Sequence, residues 1–254
     1  MQCVDCVAQS ARAMPTVRTV FGGTVREGRP VVTLTIIGIC AAVYVLELVL
    51  GTAFMQEFWF SPASGQDEPW RFVTAAFLHS TSPLHILFNM YALWIVGPPL
   101  EQALGRARYV ALYLLAAVGG QVAVLLAAEP GIGQAWWQTT WTGAVVGASG
   151  AIFGLFGAIF FVMKRLGRNA NQILVLLAIN LALPFFVGGL AWQAHVGGLV
   201  VGLVLGAVFA YAPRERRALW GVLGPVLVGV VLVLLTVWKY STVVVPTLQL
   251  PFGG

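Results

Sequence analysis

Apolar residues fall in seven long runs separated by short polar breaks. The runs cover about residues 31 to 50, 84 to 104, 109 to 128, 145 to 163, 171 to 187, 191 to 211 and 218 to 238. Each comes close to the roughly 20 apolar residues that a helix needs to cross a bilayer. The breaks are made of helix-ending or charged residues: Gly51, Gly105-Arg106-Ala107-Arg108, Glu129-Pro130-Gly131, Lys164-Arg165 and Pro213-Arg214-Glu215-Arg216-Arg217. The pattern predicts an all-α, polytopic membrane protein with one membrane domain. Residues 1 to 30 are mixed and polar, with Gly22, Gly23, Gly28 and Pro30 as breakers. They read as a cytosolic N-terminal segment. No basic start leads directly into an apolar core and a small-residue cleavage site, so a cleaved signal peptide is not expected.

Composition narrows the class further. Hydrophobic residues make up 59% of the 254 positions and charged residues only 9%. A soluble domain carries about 25% charged residues, which excludes an ordinary soluble enzyme. So much apolar side chain also excludes intrinsic disorder. The net charge of +5 matters less than its distribution. The basic residues cluster between runs, without the stripe and interleaved aromatics of a nucleic-acid surface. Lys and Arg favour cytoplasmic loops. With the N-terminus inside, twelve of the fourteen basic residues lie inside, and only Arg71 and Lys239 lie outside. This orientation predicts a cytoplasmic N-terminus and an extracytoplasmic C-terminus.

Polar groups inside apolar runs are costly and usually functional. His85 and Asn89 lie four apart in the second run, on one helix face. Ser149 opens the fourth run, in Gly147-Ala148-Ser149-Gly150, and His195 lies near the start of the sixth. Each alone has an ordinary reading: a serine bonding back to its own helix, a packed histidine, an interhelical asparagine. Together they differ, because all three runs go from outside to inside, and the polar groups lie at similar depth near their outer ends. A serine hydroxyl needs an adjacent base to act as a nucleophile, and His195 can be that base. His85 and Asn89 can donate to a developing oxyanion. No carboxylate is linked to His195. Glu47 lies near the outer end of the first run, and Glu101 lies at the wrong depth. The arrangement therefore reads as a Ser-His dyad rather than a triad. Gly150 and Gly154, with Gly198, Gly202 and Gly206, form small faces that let runs four and six approach closely. Plain helix packing explains those glycines equally well. Two other functions stay open on the residues alone. One is a transporter with a histidine proton relay, although no internal repeat of the usual kind is visible. The other is a non-catalytic membrane chaperone binding client helices.

The ordered set Trp70-Arg71, His85 with Asn89, Glu101 before Gly105, Gly147-Ala148-Ser149-Gly150, and Ala194-His195 with Gly198 and Gly202 resembles the rhomboid intramembrane serine proteases, over about residues 31 to 212. The resemblance implies a six-helix rhomboid core at 31–212. Residues 213–254 then hold a charged hinge, an extra seventh transmembrane helix and an outer tail. It implies Ser149 as nucleophile, His195 as base, and an oxyanion hole from His85, Asn89 and the Ser149 amide. Phe153 would stack on the base, and Trp70 and Arg71 would be structural residues of a partly immersed first loop (about 51 to 83). Its partners would be transmembrane protein substrates, cut near the outer leaflet of a plasma membrane, and the lipid bilayer itself. A Ser-His mechanism requires no metal or organic cofactor. Oligomeric state and substrate identity are not legible. Trp59, Phe60 and Trp70 suit an interfacial position, and His79 is a candidate for polar contacts near the water cavity. Cys3 and Cys6 have the spacing of half a zinc site, but four ligands are usual, so two thiols in an N-terminally shortened form of the family are expected. The seventh run carries no ionisable residue before Lys239. It reads as a peripheral packing helix on which Gly221 should tolerate a larger side chain.

Overall fold

A computed structural model describes residues 3, 19–23, 29–131, 139–182 and 191–243. Cys6, Arg12, Arg18, Arg26, the end of the fifth run with Pro184, and the outer tail lie outside the described residues. In chain order the helices are α1 (Val31–Phe58), α2 (Pro62–Gly65), α3 (Arg71–Thr74), α4 (Pro83–Leu104), α5 (Arg106–Ala127), α6 (Ser149–Arg165), α7 (Asn171–Ala182), α8 (Trp192–Tyr211) and α9 (Arg217–Thr242), with a 3-10 turn at Arg214–Arg216 before the last. All seven predicted runs are occupied. Among the described residues, the helices of runs one, three, six and seven are long and apolar enough to cross a membrane by length and composition. α4 carries His85, Asn89 and Glu101, α6 has 17 residues, and α7 is described only to Ala182.

Two boundaries differ from the pattern. The first run was expected to end at Gly51, but helix resumes beyond a kink there, where Gly51 adopts φ 72 and ψ −160. The fourth run was expected to begin near 145, but α6 begins at Ser149. Val145 is instead extended and exchanges backbone hydrogen bonds with Phe60, at 3.1 and 2.7 Å. Gly147, at φ 129, then turns the chain into the helix.

The core of the bundle is α6 against α8, with α5 packed on both. A Cβ at Gly198 or Gly202 would collide with the carbonyl of Gly150 or Gly154, and one at Gly206 would lie 2.6 Å from Ala158 Cα. The expected glycine seam is therefore a backbone-to-backbone contact. α5 adds a second seam that the sequence reading passed over. A Cβ at Gly120 would lie 2.9 Å from the Ala194 carbonyl, and Gly197 meets Gly119 backbone directly. In lipid, where no hydrophobic force drives helices together, such close packing is what holds them.

Buried polar side chains tie the remaining helices on. Glu101 of α4 caps α1: its carboxylate accepts from Val32 N at 3.0 Å and Thr33 N at 2.9 Å. These are amides that the first turn cannot satisfy itself. At the other end of α5, Lys239 donates to the carbonyls of Leu126 and Ala128, at 3.1 and 2.9 Å. A cation suits a helix C-terminus. Tyr240 donates to the Pro62 carbonyl at 2.9 Å, so α9 also holds the first loop.

Two expectations fail here. Gly221 is not open space, because a Cβ there would strike the Arg108 guanidinium. That guanidinium bonds the carbonyls of Phe21 and Arg217. Phe60 is not interfacial: it is fully buried, its ring tilted against Phe72 with centroids 4.5 Å apart, because its backbone bridge to Val145 turns it inward. Trp70 does remain half exposed. Arg71 is buried and staples the loop, with Nε 2.5 Å from Glu68 and Nη1 donating to the Gln56 and Trp59 carbonyls.

Candidate active site

Three first turns converge. His85 is the third residue of α4, Ser149 the first of α6 and His195 the fourth of α8. Ser149 Oγ lies 2.9 Å from His195 Nε2. The glycine seam brings these two atoms together, since Gly198, one turn after His195, packs directly on the backbone of Gly150, the residue after Ser149. The His195 ring is nearly parallel to Phe153, at 4.3 Å between centroids and 8° between planes. Phe153 is one turn along α6 from Ser149, so one helix supplies both the hydroxyl and the surface that sets the imidazole plane. His195 is buried, and its Nδ1 has no hydrogen-bond partner among the described residues. No carboxylate orients it there. Glu47 is engaged elsewhere, with Oε1 accepting from His79 N at 2.9 Å.

A small space faces the serine. A Cβ placed on Gly147 would lie 3.0 Å from His85 Nε2 and 3.7 Å from Ser149 Oγ. Glycine leaves that point vacant, and it is where an atom bonded to Oγ could meet a donor on His85. Ser149, opening α6, has an amide with no acceptor inside its own helix. Asn89 is buried one turn below His85, and its Nδ2 donates to the His85 carbonyl at 2.8 Å, leaving its second N–H available. On the far side of His85, Nδ1 accepts from Ser80 N at 3.2 Å and lies 2.9 Å from Ser80 Oγ. His79 is fully buried, its ring edge-on to His85 at 5.4 Å. Among the described residues no cluster of His, Cys, Asp or Glu could hold a metal ion.

Of the residues singled out in the sequence, Ser149, His195, His85, Asn89 and Phe153 meet at this centre, Trp70 and Arg71 lie in the first loop, and Gly154 and Gly202 lie further down the α6–α8 seam. Sequence reasoning missed Ser80 and the purpose of Gly147. Ser80 lies in a polar loop where one more serine carries no signal. Gly147 stood in the quoted motif, but its positive φ and its view of His85 come only from the fold.

The fold and the site together define a helical bundle with a partly buried Ser-His pair beside a vacant, donor-faced point. The rhomboid domain matches residues 66–212, and the chain belongs to the rhomboid family. It is 33% identical over 151 residues to the rhomboid protease GluP of Bacillus subtilis (strain 168), an alignment covering 56% of this chain and 26% of that protein. It is 29% identical over 202 residues to the rhomboid protease GlpG of Yersinia pestis (strain Pestoides F), covering 76% of this chain and 67% of that one. The GlpG of Yersinia pseudotuberculosis serotype O:3 (strain YPIII) gives the same figures. The chain spans about a quarter of the Bacillus relative's length and about two thirds of the Yersinia relatives'.

Proposed function

We propose that this protein is an intramembrane serine endopeptidase that cuts transmembrane segments of other proteins. The observation carrying this reading is the 2.9 Å contact of Ser149 Oγ with His195 Nε2, beside the vacant point faced by His85 Nε2. Ser149 Oγ attacks the scissile carbonyl carbon while His195 Nε2 takes its proton. The carbonyl oxygen, now negative, is held by His85 Nε2, Asn89 Nδ2 and the Ser149 amide. His195 returns the proton to the leaving nitrogen, and an ester to Ser149 remains. His195 Nε2 then takes a proton from a water molecule, whose oxygen attacks the ester carbonyl, and gives that proton to Ser149 Oγ as the acid leaves. Stacking on Phe153 does the orienting that a carboxylate does in a triad.

The polypeptide divides into a cytosolic segment (1–30), a catalytic core (31–212) and an appended hinge, helix and tail (213–254). The N-terminus faces the cytoplasm, and the site opens to the outer side of the plasma membrane, from which the hydrolytic water comes. The distribution of the fourteen basic residues supports that orientation.

The test is labelling with a serine-reactive fluorophosphonate, run beside cleavage of a transmembrane substrate in proteoliposomes. Wild type should label and cleave, and Ser149→Ala should do neither. Equal labelling of both removes Ser149 as the nucleophile. Labelling without cleavage of any transmembrane substrate would instead favour a helix-binding chaperone on the same fold.

A further inference from the structure

We propose that Ser80 is a positioning residue that fixes the proton of His85 on Nε2, and that Tyr44 and Glu47 of α1 hold Ser80 in place to do so. This rests on the reading above in one respect only, the use made of the Nε2–H.

A neutral imidazole has one donor and one acceptor nitrogen, and which is which follows from its partners. The Ser80 partner is decisive because a backbone N–H can only donate. It lies 3.2 Å from His85 Nδ1, so Nδ1 is the acceptor and carries no hydrogen. The ring proton is then on Nε2, the nitrogen that faces the vacant point at Gly147. The Ser80 hydroxyl, 2.9 Å from the same Nδ1, reinforces the assignment when it donates. Without these two contacts at Nδ1, either nitrogen could hold the proton, and one of the two tautomers would present a lone pair to an oxyanion. A doubly protonated His85 is disfavoured too, since its Nδ1–H would point at the Ser80 N–H.

The segment carrying Ser80 is anchored on both sides by one helix. His79 N donates to Glu47 Oε1 at 2.9 Å, just before Ser80. Tyr44 OH donates to the Thr81 carbonyl at 3.1 Å, just after it. Tyr44 and Glu47 are three apart on α1, so they lie on one face. The buried His79 ring, edge-on to His85, closes the remaining side. α1 contributes no atom to the proposed reaction, yet it sets the backbone from which the oxyanion donor is oriented.

The chain holds three histidines, which makes the tautomer directly readable. The protein, labelled with 15N-histidine in nanodiscs, is compared with variants replacing His79 or His195 to assign the signals. The expected result is a neutral His85 bare at Nδ1 and protonated at Nε2. A His85 protonated at Nδ1 overturns the proposal whether or not the protein cleaves anything. Ser80→Ala keeps the backbone donor but loses the hydroxyl, and should lower kcat roughly fivefold to tenfold, with KM little changed. Ser80→Thr should restore it. Ser80→Asp places an acceptor at Nδ1, should draw the proton there in the 15N spectrum, and should cost about 10²–10³ in kcat, as for loss of an oxyanion donor. A wild-type His85 signal with full activity in Ser80→Asp overturns it. If Ser149-dependent cleavage is absent from wild type, the protease reading fails while the spectrum still decides the tautomer.

Discussion

Ser149 and His195 share one hydrogen bond, and neither can perform its proposed step without the other. Removing either should therefore remove the same free energy, as with members of any catalytic unit. Ser149→Ala, His195→Ala and the double variant should be equally inactive on a transmembrane substrate, each with wild-type thermal unfolding. Residual cleavage by one single variant, or a double variant clearly worse than both, would break the pairing. Gly147 gives a sharper residue-level prediction. A methyl group there would lie 3.0 Å from His85 Nε2, in the space proposed for the oxyanion, on a backbone at φ 129 that side chains avoid. Gly147→Ala should lower kcat/KM by at least about 10², the scale of a lost oxyanion donor. It should still label slowly with a fluorophosphonate, because the dyad is intact. Wild-type cleavage would move the oxyanion site elsewhere.

At the element scale the decisive contacts are between backbones. Gly202 of α8 meets Gly154 of α6 directly, so a branched side chain must push the helices apart. Overpacking of this kind costs about 1–3 kcal/mol, and a 1 Å misplacement of reacting groups can cost about 10²-fold in rate. Gly202→Val should lose several degrees of Tm in detergent and about 10² in cleavage rate. The proper control is Gly38→Val on α1, where nothing lies within 4 Å. Gly221, beside Arg108, is unsuitable. Equal behaviour of the two variants would mean the seam does not position the dyad. Much of this was legible in the sequence: seven apolar runs gave seven helices, and glycines spaced by four marked the α6–α8 seam. Ser149, His195, His85 and Asn89 stood out because lipid makes unpaired polar groups expensive. The legible part was what periodicity and polarity encode. Glu101 capping α1, Lys239 capping α5 and Ser80 behind His85 depend on how distant segments dock, and no local pattern carries that information. Phe60 misled for the same reason, since an aromatic in a loop looks interfacial until its backbone bridge to Val145 is known.

For the whole molecule, charge and helix length act together. α6 is 17 residues long, so it spans only about 26 Å, against a hydrocarbon core of about 30 Å. Its last turn carries Lys164 and Arg165, both exposed, which hold that end at a polar surface. Ser149, at the other end, is then recessed beneath the opposite surface, and the site lies within the membrane yet near one face. The proposed orientation, with twelve of the fourteen basic residues on the cytoplasmic side, makes that face the outer one. The proposed orientation makes Asp67 extracytoplasmic and Arg168 cytoplasmic, and both positions are exposed. With Cys3 and Cys6 changed to serine, Cys40 can stay, since it is fully buried in α1. Single Asp67→Cys and Arg168→Cys variants are then treated with a membrane-impermeant maleimide on intact bacterial spheroplasts and again after lysis. Asp67→Cys should react in both conditions and Arg168→Cys only after lysis. The reverse pattern would invert the chain in the membrane, open the site toward the cytoplasm and exclude cleavage near the outer leaflet, while leaving the Ser149–His195 chemistry untouched.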